Sequence, residues 1–152
     1  QDFNIRKMEE EYNSQEGLIN QCSTAQLVSL PEFKESYDLE YSNYILDNDL
    51  IQALKHPLST SSITIVLGTW CGDSKLYVPH FLKVLDAAGF KEEHLRLIGV
   101  NREKKAAQGL IDHLDIDRVP TFIIFRNGKE MGRIVEQPNE TFEKDILNIL
   151  TK

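Results

Sequence analysis

Apolar residues change their period along this chain, and the change separates two regions. From Leu18 onward Leu18, Ile19 and Cys22, then Leu27, Val28 and Leu30, fall at helical spacing and predict a helical segment that breaks at Pro31. Pro31-Glu32 suits the first turn of a new helix carrying Phe33, Tyr37 and Tyr41 on one face. Asp47 reads as the N-cap of a further helix through Leu50, Ile51 and Leu54 that ends near His56-Pro57, and Leu58–Ser62 reads as a short polar loop. Residues 1–16 are polar and charged, with Glu9-Glu10-Glu11 at their centre, and predict a loose arm or a frayed helix.

Beyond residue 62 short apolar runs alternate with amphipathic stretches. Ile63 to Leu67 is a continuous, β-branched run that reads as a buried strand. A helix from about Asp73 to Ala88, closed by Gly89, follows. Leu95–Val100 predicts a second strand and Lys104–Leu114 a second helix. Thr121–Phe125 and Met131–Val135 flank Asn127-Gly128, a pair whose tolerance of positive φ predicts a hairpin. An amphipathic helix starting at Asn139 or Glu140 and running to Leu150 closes the order βαβαββα. There is no internal repeat.

Charge divides the chain at the same place. The net charge is -7, yet residues 1–50 hold 11 acidic against 3 basic residues, and residues 51–152 hold 13 against 14. The acidity belongs to the N-terminal third, which argues against a nucleic-acid partner; Arg102, Lys104 and Lys105 form only a short basic cluster. A chain of 152 residues suits one domain with an extension, and none of its apolar runs approaches the roughly 20 residues of a membrane-spanning helix. Gln1 in place of methionine fits a removed signal peptide as well as a trimmed recombinant chain, so cytoplasmic and exported locations both stay open.

The chemistry concentrates at the end of the first buried strand. Cys22 and Cys71 lie too far apart in sequence for a clustered metal motif, and the four histidines show no ligand spacing, so neither metal nor bound cofactor is expected. Cys71 instead falls where a strand gives way to a helix. Free backbone N–H groups at a helix N-terminus favour the thiolate, which is the nucleophilic form.

Trp70-Cys71-Gly72-Asp73-Ser74-Lys75 resembles the thioredoxin active-site motif with serine at the second cysteine position. Pro79, eight residues beyond Cys71, matches the proline that kinks the family's active-site helix. Val119-Pro120-Thr121 is similar to the motif whose proline is cis and faces the reactive sulfur, and Phe125-Arg126-Asn127-Gly128 to the hairpin that follows. The resemblance covers roughly residues 58–152. It implies an α/β thioredoxin fold, a central mixed sheet flanked by helices; residues 1–57 fall outside it and read, from their charge and apolar spacing, as an acidic, mostly helical extension. It also implies that Cys71 and Ser74 form the reacting pair of positions and that Trp70, Gly72, Asp73, Val119, Pro120 and Glu136 line the substrate side.

Three departures from the family pattern bear on mechanism. Ser74 removes the resolving thiol; Ile65 stands where many thioredoxins bury an aspartate; Glu136 stands where they commonly carry glycine. A mixed disulfide on Cys71 therefore needs a second thiol from elsewhere: glutathione, a client cysteine, a partner oxidoreductase, or Cys22 if the extension folds over the site. Ser74 reads either as a helix-start residue or as a donor to the sulfur, and Glu136, if it turns inward, places a carboxylate near Cys71. The expected function is thiol–disulfide oxidoreductase or isomerase through one cysteine, acting on client proteins as a monomer. The alternative is a non-catalytic thioredoxin-like protein that recognises or retains clients.

Overall fold

The computed structural model describes residues 12–13 and 16–152. The expected arm over residues 1–16 thus lies outside the described residues, except for Tyr12–Asn13 (β1), which pairs with Gly17–Leu18 (β2), and for Glu16 in the turn between them. The main sheet is mixed and has five strands: Asn20–Cys22 (β3), Ser62–Leu67 (β4), Leu95–Gly99 (β5), Thr121–Arg126 (β6) and Lys129–Val135 (β7), in the spatial order β3-β5-β4-β6-β7. β4 and β5 run parallel, and the other neighbours are antiparallel. Among the described residues five α-helices accompany the sheet: Thr24–Ser29 (α1), Pro31–Asn43 (α2), Asn48–Ser59 (α3), Gly72–Ala87 (α4) and Phe142–Leu150 (α5).

Residues along β4 alternate between two cores because successive side chains of a strand point to opposite faces. Ile63, Ile65 and Leu67 join the larger core, to which all five helices contribute their buried apolar residues. At its centre Phe81 stacks on Phe122 at 4.3 Å, and Phe142 meets both edge-on at 5.3 and 5.2 Å. Val66 joins the smaller core on the opposite face with Ile98, Val100 and Ile123, covered by Ile111, Leu114 and Val119.

One predicted helix is shortened and another is absent, each for a local reason. Leu18 and Asn20–Cys22 lie in strands: Gly17 (φ +86°) and Asn20 (φ +73°) adopt left-handed backbone that an α-helix excludes, and the open edge of β5 takes Asn20–Cys22 as a ladder. The helix starts only at Thr24, behind a capping box in which Ser23 Oγ accepts from Gln26 N–H and Gln26 Oε1 accepts from Ser23 N–H. Residues 104–114 form turns. Lys104 and Gly109 have positive φ, the Asn101 side chain accepts from the N–H groups of Glu103 and Lys105, and Asp112 accepts from Gly109 N–H. Such side-chain bonds give the backbone an alternative to helix.

Element ends differ more modestly. α3 continues through Pro57 to Ser59, because Leu58 is buried with Ile51 and Leu54 on one face. Its carbonyls at His56 and Pro57 are met by the hydroxyls of Ser59, Thr60 and Ser61. α5 starts at Phe142 with Thr141 as cap, while the N–H groups of Asn139 and Glu140 donate to the Asp145 carboxylate. Phe33, Tyr37 and Tyr41 line one face of α2, and Asp47 caps α3 by accepting from Leu50 N–H. Asn127 and Gly128 both take positive φ in the β6–β7 turn.

Candidate functional site

β4 ends at Leu67, and the chain turns through Gly68, Thr69 and Trp70 to reach Cys71, the N-cap residue of the 16-residue helix α4. Cys71 N–H donates to Gly68 O at 2.9 Å, closing the turn, and Cys71 O accepts from Lys75 N–H at 3.0 Å, opening the helix. The sulfur is half-buried at this helix start, and its side chain makes no cap hydrogen bond to the first-turn N–H groups. Sγ–H donates to Val119 O at 3.7 Å. The Val119–Pro120 peptide bond is cis, and Pro120 O accepts from Glu136 N–H at 2.7 Å.

Ser74 does not serve the sulfur. It is fully buried, and its Oγ accepts from Gly68 N–H at 3.1 Å, on the inner side of the turn. Of the two readings left open by sequence, the structural one matches this hydrogen bond: Ser74 ties the first turn of α4 back to the strand exit. Ile65 is likewise fully buried and apolar in the larger core.

Trp70 is held rather than free. Its ring lies against Gly68, where an added Cβ would come within 2.5 Å of the indole. Indole Nε1–H donates to Val100 O at 2.9 Å, and the Arg102 guanidinium stands 5.4 Å from the ring centroid. Gly72 and Asp73 are exposed beside Cys71, with open space around Gly72.

Glu136 takes a left-handed backbone (φ +65°), a conformation that favours glycine. Its carboxylate lies 3.5 Å from Arg118, with side chains 32% and 66% exposed respectively, so the acid is engaged at the rim by a cation that immediately precedes Val119. The structure therefore gathers Trp70, Cys71, Val119, Pro120 and Glu136 around one turn, leaves Gly72 and Asp73 open to solvent, and turns Ser74 inward.

Cys22 lies on the other side of the sheet. It pairs in register with Leu97, cross-strand partners share a face, and both belong to the larger core, whereas Cys71 packs on the smaller one. The two are not disulfide-bonded. The expectation that Cys22 could resolve a disulfide on Cys71 meets a physical barrier, the sheet itself.

Sequence reading missed four residues of this neighbourhood: Arg118, Arg102, Thr69 and Gly17. Arg118 adjoins the Val-Pro motif and was detectable by position. The others arrive through contacts distant in sequence, for which no local signal exists.

A family model described as Thioredoxin matches residues 51–148. The chain belongs to the thioredoxin family. Among curated thioredoxin-family relatives, thioredoxin AMT13 of Alternaria alternata is 28% identical over 109 residues, spanning 66% of this chain and 87% of that protein. The Gallus gallus thioredoxin is 27% identical over 82 residues, 54% of this chain and 72% of that protein. A solved Pseudomonas aeruginosa protein, PA1234, described as of unknown function, superposes with a TM-score of 0.59 at 14% identity, covering 86% of this chain and 90% of that one; it supports the fold alone. Among the described residues no helix is long and apolar enough to cross a membrane, and no group of three or more His, Cys, Asp or Glu could hold a metal ion.

Proposed function

We propose that this thioredoxin-family chain exchanges disulfides through Cys71 alone. The observation that carries the reading is Cys71 at the N-cap of α4 with Ser74, the position of the family's second cysteine, occupied by a buried hydroxyl bonded to Gly68 N–H. The Cys71 thiolate attacks a disulfide R–S–S–R′, forming Cys71–S–S–R and releasing R′–S⁻. An external thiolate then attacks the mixed disulfide, forms a disulfide with the R sulfur and returns Cys71 as thiolate. Each attacking sulfur is oxidised as each leaving sulfur is reduced, so no further oxidant or reductant enters.

The external thiol is glutathione, another small thiol, a client cysteine or a partner oxidoreductase. Trp70, Gly72, Asp73, Val119, Pro120 and Glu136 form the surface that a client meets, and client proteins carrying disulfides are the substrates. No bound cofactor takes part. Ser74 also favours a second reading, in which the absence of an internal resolving thiol leaves the mixed disulfide long-lived and the chain retains its client.

Reduction of a glutathionylated peptide with glutathione present, comparing the parent with Cys71→Ala, tests the reading. Turnover by the parent and none by Cys71→Ala is expected; full turnover by Cys71→Ala would end it. A trapped client with no turnover by the parent under any small thiol favours retention. Ser74→Cys is expected to gain dithiol turnover, at a stability cost of about 1 kcal/mol because sulfur is a weaker acceptor for Gly68 N–H.

A further inference from the structure

We infer that the segment Glu16–Leu18, outside the family-matched region, is a positioning element of the redox site; the inference rests on the proposed exchange chemistry of Cys71. Three observations converge on it. Leu18 N–H donates to Thr69 Oγ1 at 3.0 Å in a buried bond between residues 51 positions apart. Gly17 (φ +86°) lies so close to the turn that an added Cβ would collide with Thr69 Oγ1 and come within 3.2 Å of Trp70 Cδ1. Glu16 Oε1 accepts from the N–H of Arg102 at 2.9 Å, and Arg102 is the residue whose guanidinium stands over the Trp70 ring.

Together these contacts brace Thr69 and Trp70, the two residues between the Gly68 hinge of the turn and Cys71. Thr69 is fully buried, and its hydroxyl is the acceptor that a backbone donor from β2 requires. β2 is itself anchored. The Leu18 backbone crosses directly over Gly99 of β5, where any Cβ would strike the Leu18 carbonyl, and Asn20 Oδ1 accepts from Ala107 N–H at 2.7 Å. The brace therefore runs from the edge of the sheet to the residue before the nucleophile. When it is removed, Thr69 and Trp70 gain freedom, and the N-cap placement of Cys71, with Sγ toward Val119 O, is no longer fixed for attack on an incoming disulfide. An acidic N-terminal third that reads as an accessory extension thereby contributes to the reactivity of a cysteine in the family domain.

The test measures exchange of Cys71 with oxidised glutathione, in which the Cys71 thiolate displaces one glutathione thiolate and a Cys71–glutathione disulfide forms. The rate is followed peptide by peptide by mass spectrometry, so that Cys22 is scored separately. Trp70 is the chain's one tryptophan, and its emission reports the brace directly. Thr69→Val keeps the shape and loses the acceptor; it is expected to slow exchange by about fivefold and to shift Trp70 emission to the red. Thr69→Ser, which restores the acceptor, is expected to recover most of the rate. Gly17→Ala is expected to act like Thr69→Val. Gly128→Ala, at a positive-φ turn position remote from the site, supplies a general loss of stability and is expected to leave the rate alone. If Thr69→Val exchanges within about twofold of the parent, the inference is overturned while the exchange reading stands. If the parent forms no mixed disulfide at Cys71, both fall.

Discussion

At Glu136 a single residue carries a backbone conformation suited to glycine, beside the Val119–Pro120 segment and paired with Arg118. A left-handed non-glycine residue costs about 1–2 kcal/mol, whereas an exposed ion pair of this kind returns little. Glu136→Gly is therefore expected to raise the urea midpoint by the equivalent of about 1 kcal/mol, and a drop would show that the carboxylate stabilises the fold beyond its pairing with Arg118. Ser74 teaches a complementary lesson: the residue type pointed to the missing chemistry, but only the fold reveals that the hydroxyl is spent on Gly68 N–H.

Among the elements, α1 is the most dependent on a local signal. Six residues are too few to hold a helix by propensity, so the Ser23–Gln26 capping box and the buried Leu27 define it. Ser23→Ala is expected to cost about 1 kcal/mol in chemical denaturation and to loosen the junction between β3 and α2. The Ser-x-x-Gln spacing was present in the sequence and marks the true helix start, while Leu18, Ile19 and Cys22 suggested a period that strand pairing overrode. β4, the Asn127-Gly128 hairpin and the Asp47 cap were legible because each depends on its own residues. The 101–120 segment was not, because its turns depend on side chains that reach back to the local backbone, and its apolar Leu110, Ile111 and Leu114 fall at helical spacing although they are presented from turns. The site divides in the same way: Trp70, Cys71, Val119 and Pro120 announce themselves as motifs, whereas Gly17 and Thr69 meet only through the tertiary fold.

For the whole molecule, three tyrosines set a limit at alkaline pH. Burial, with smaller contributions from nearby Asp86, Asp38 and Glu92, pushes the Tyr37 phenol up to about 12. Tyr41 and Tyr44 are raised further, first by burial and then by hydrogen bonds to Asp86 and Glu143, both 2.5 Å. These phenols ionise near 10 in the unfolded chain. Their contribution is therefore complete below about pH 10 and is lost as pH rises through the higher folded-state values. The urea midpoint is expected to hold at about pH 9 and to fall steeply by about pH 11, with phenolate absorbance rising alongside unfolding; Tyr37→Phe should flatten part of that fall. Tyr41 and Tyr44 join α2 and its following loop to α4 and α5, so the N-terminal third and the family-matched region are expected to share one alkaline transition.

The sheet has its helices' buried residues on one face and a run of turns on the other. Amides in β4 and β6, central in the ladder order, should exchange with deuterium only when the whole domain opens. Those of residues 101–120, held by turns and side-chain acceptors, should exchange through small local openings. Since Val119 closes that segment and its carbonyl faces Cys71, such an opening would let the reactive sulfur sample more than one environment without unfolding the scaffold that carries it.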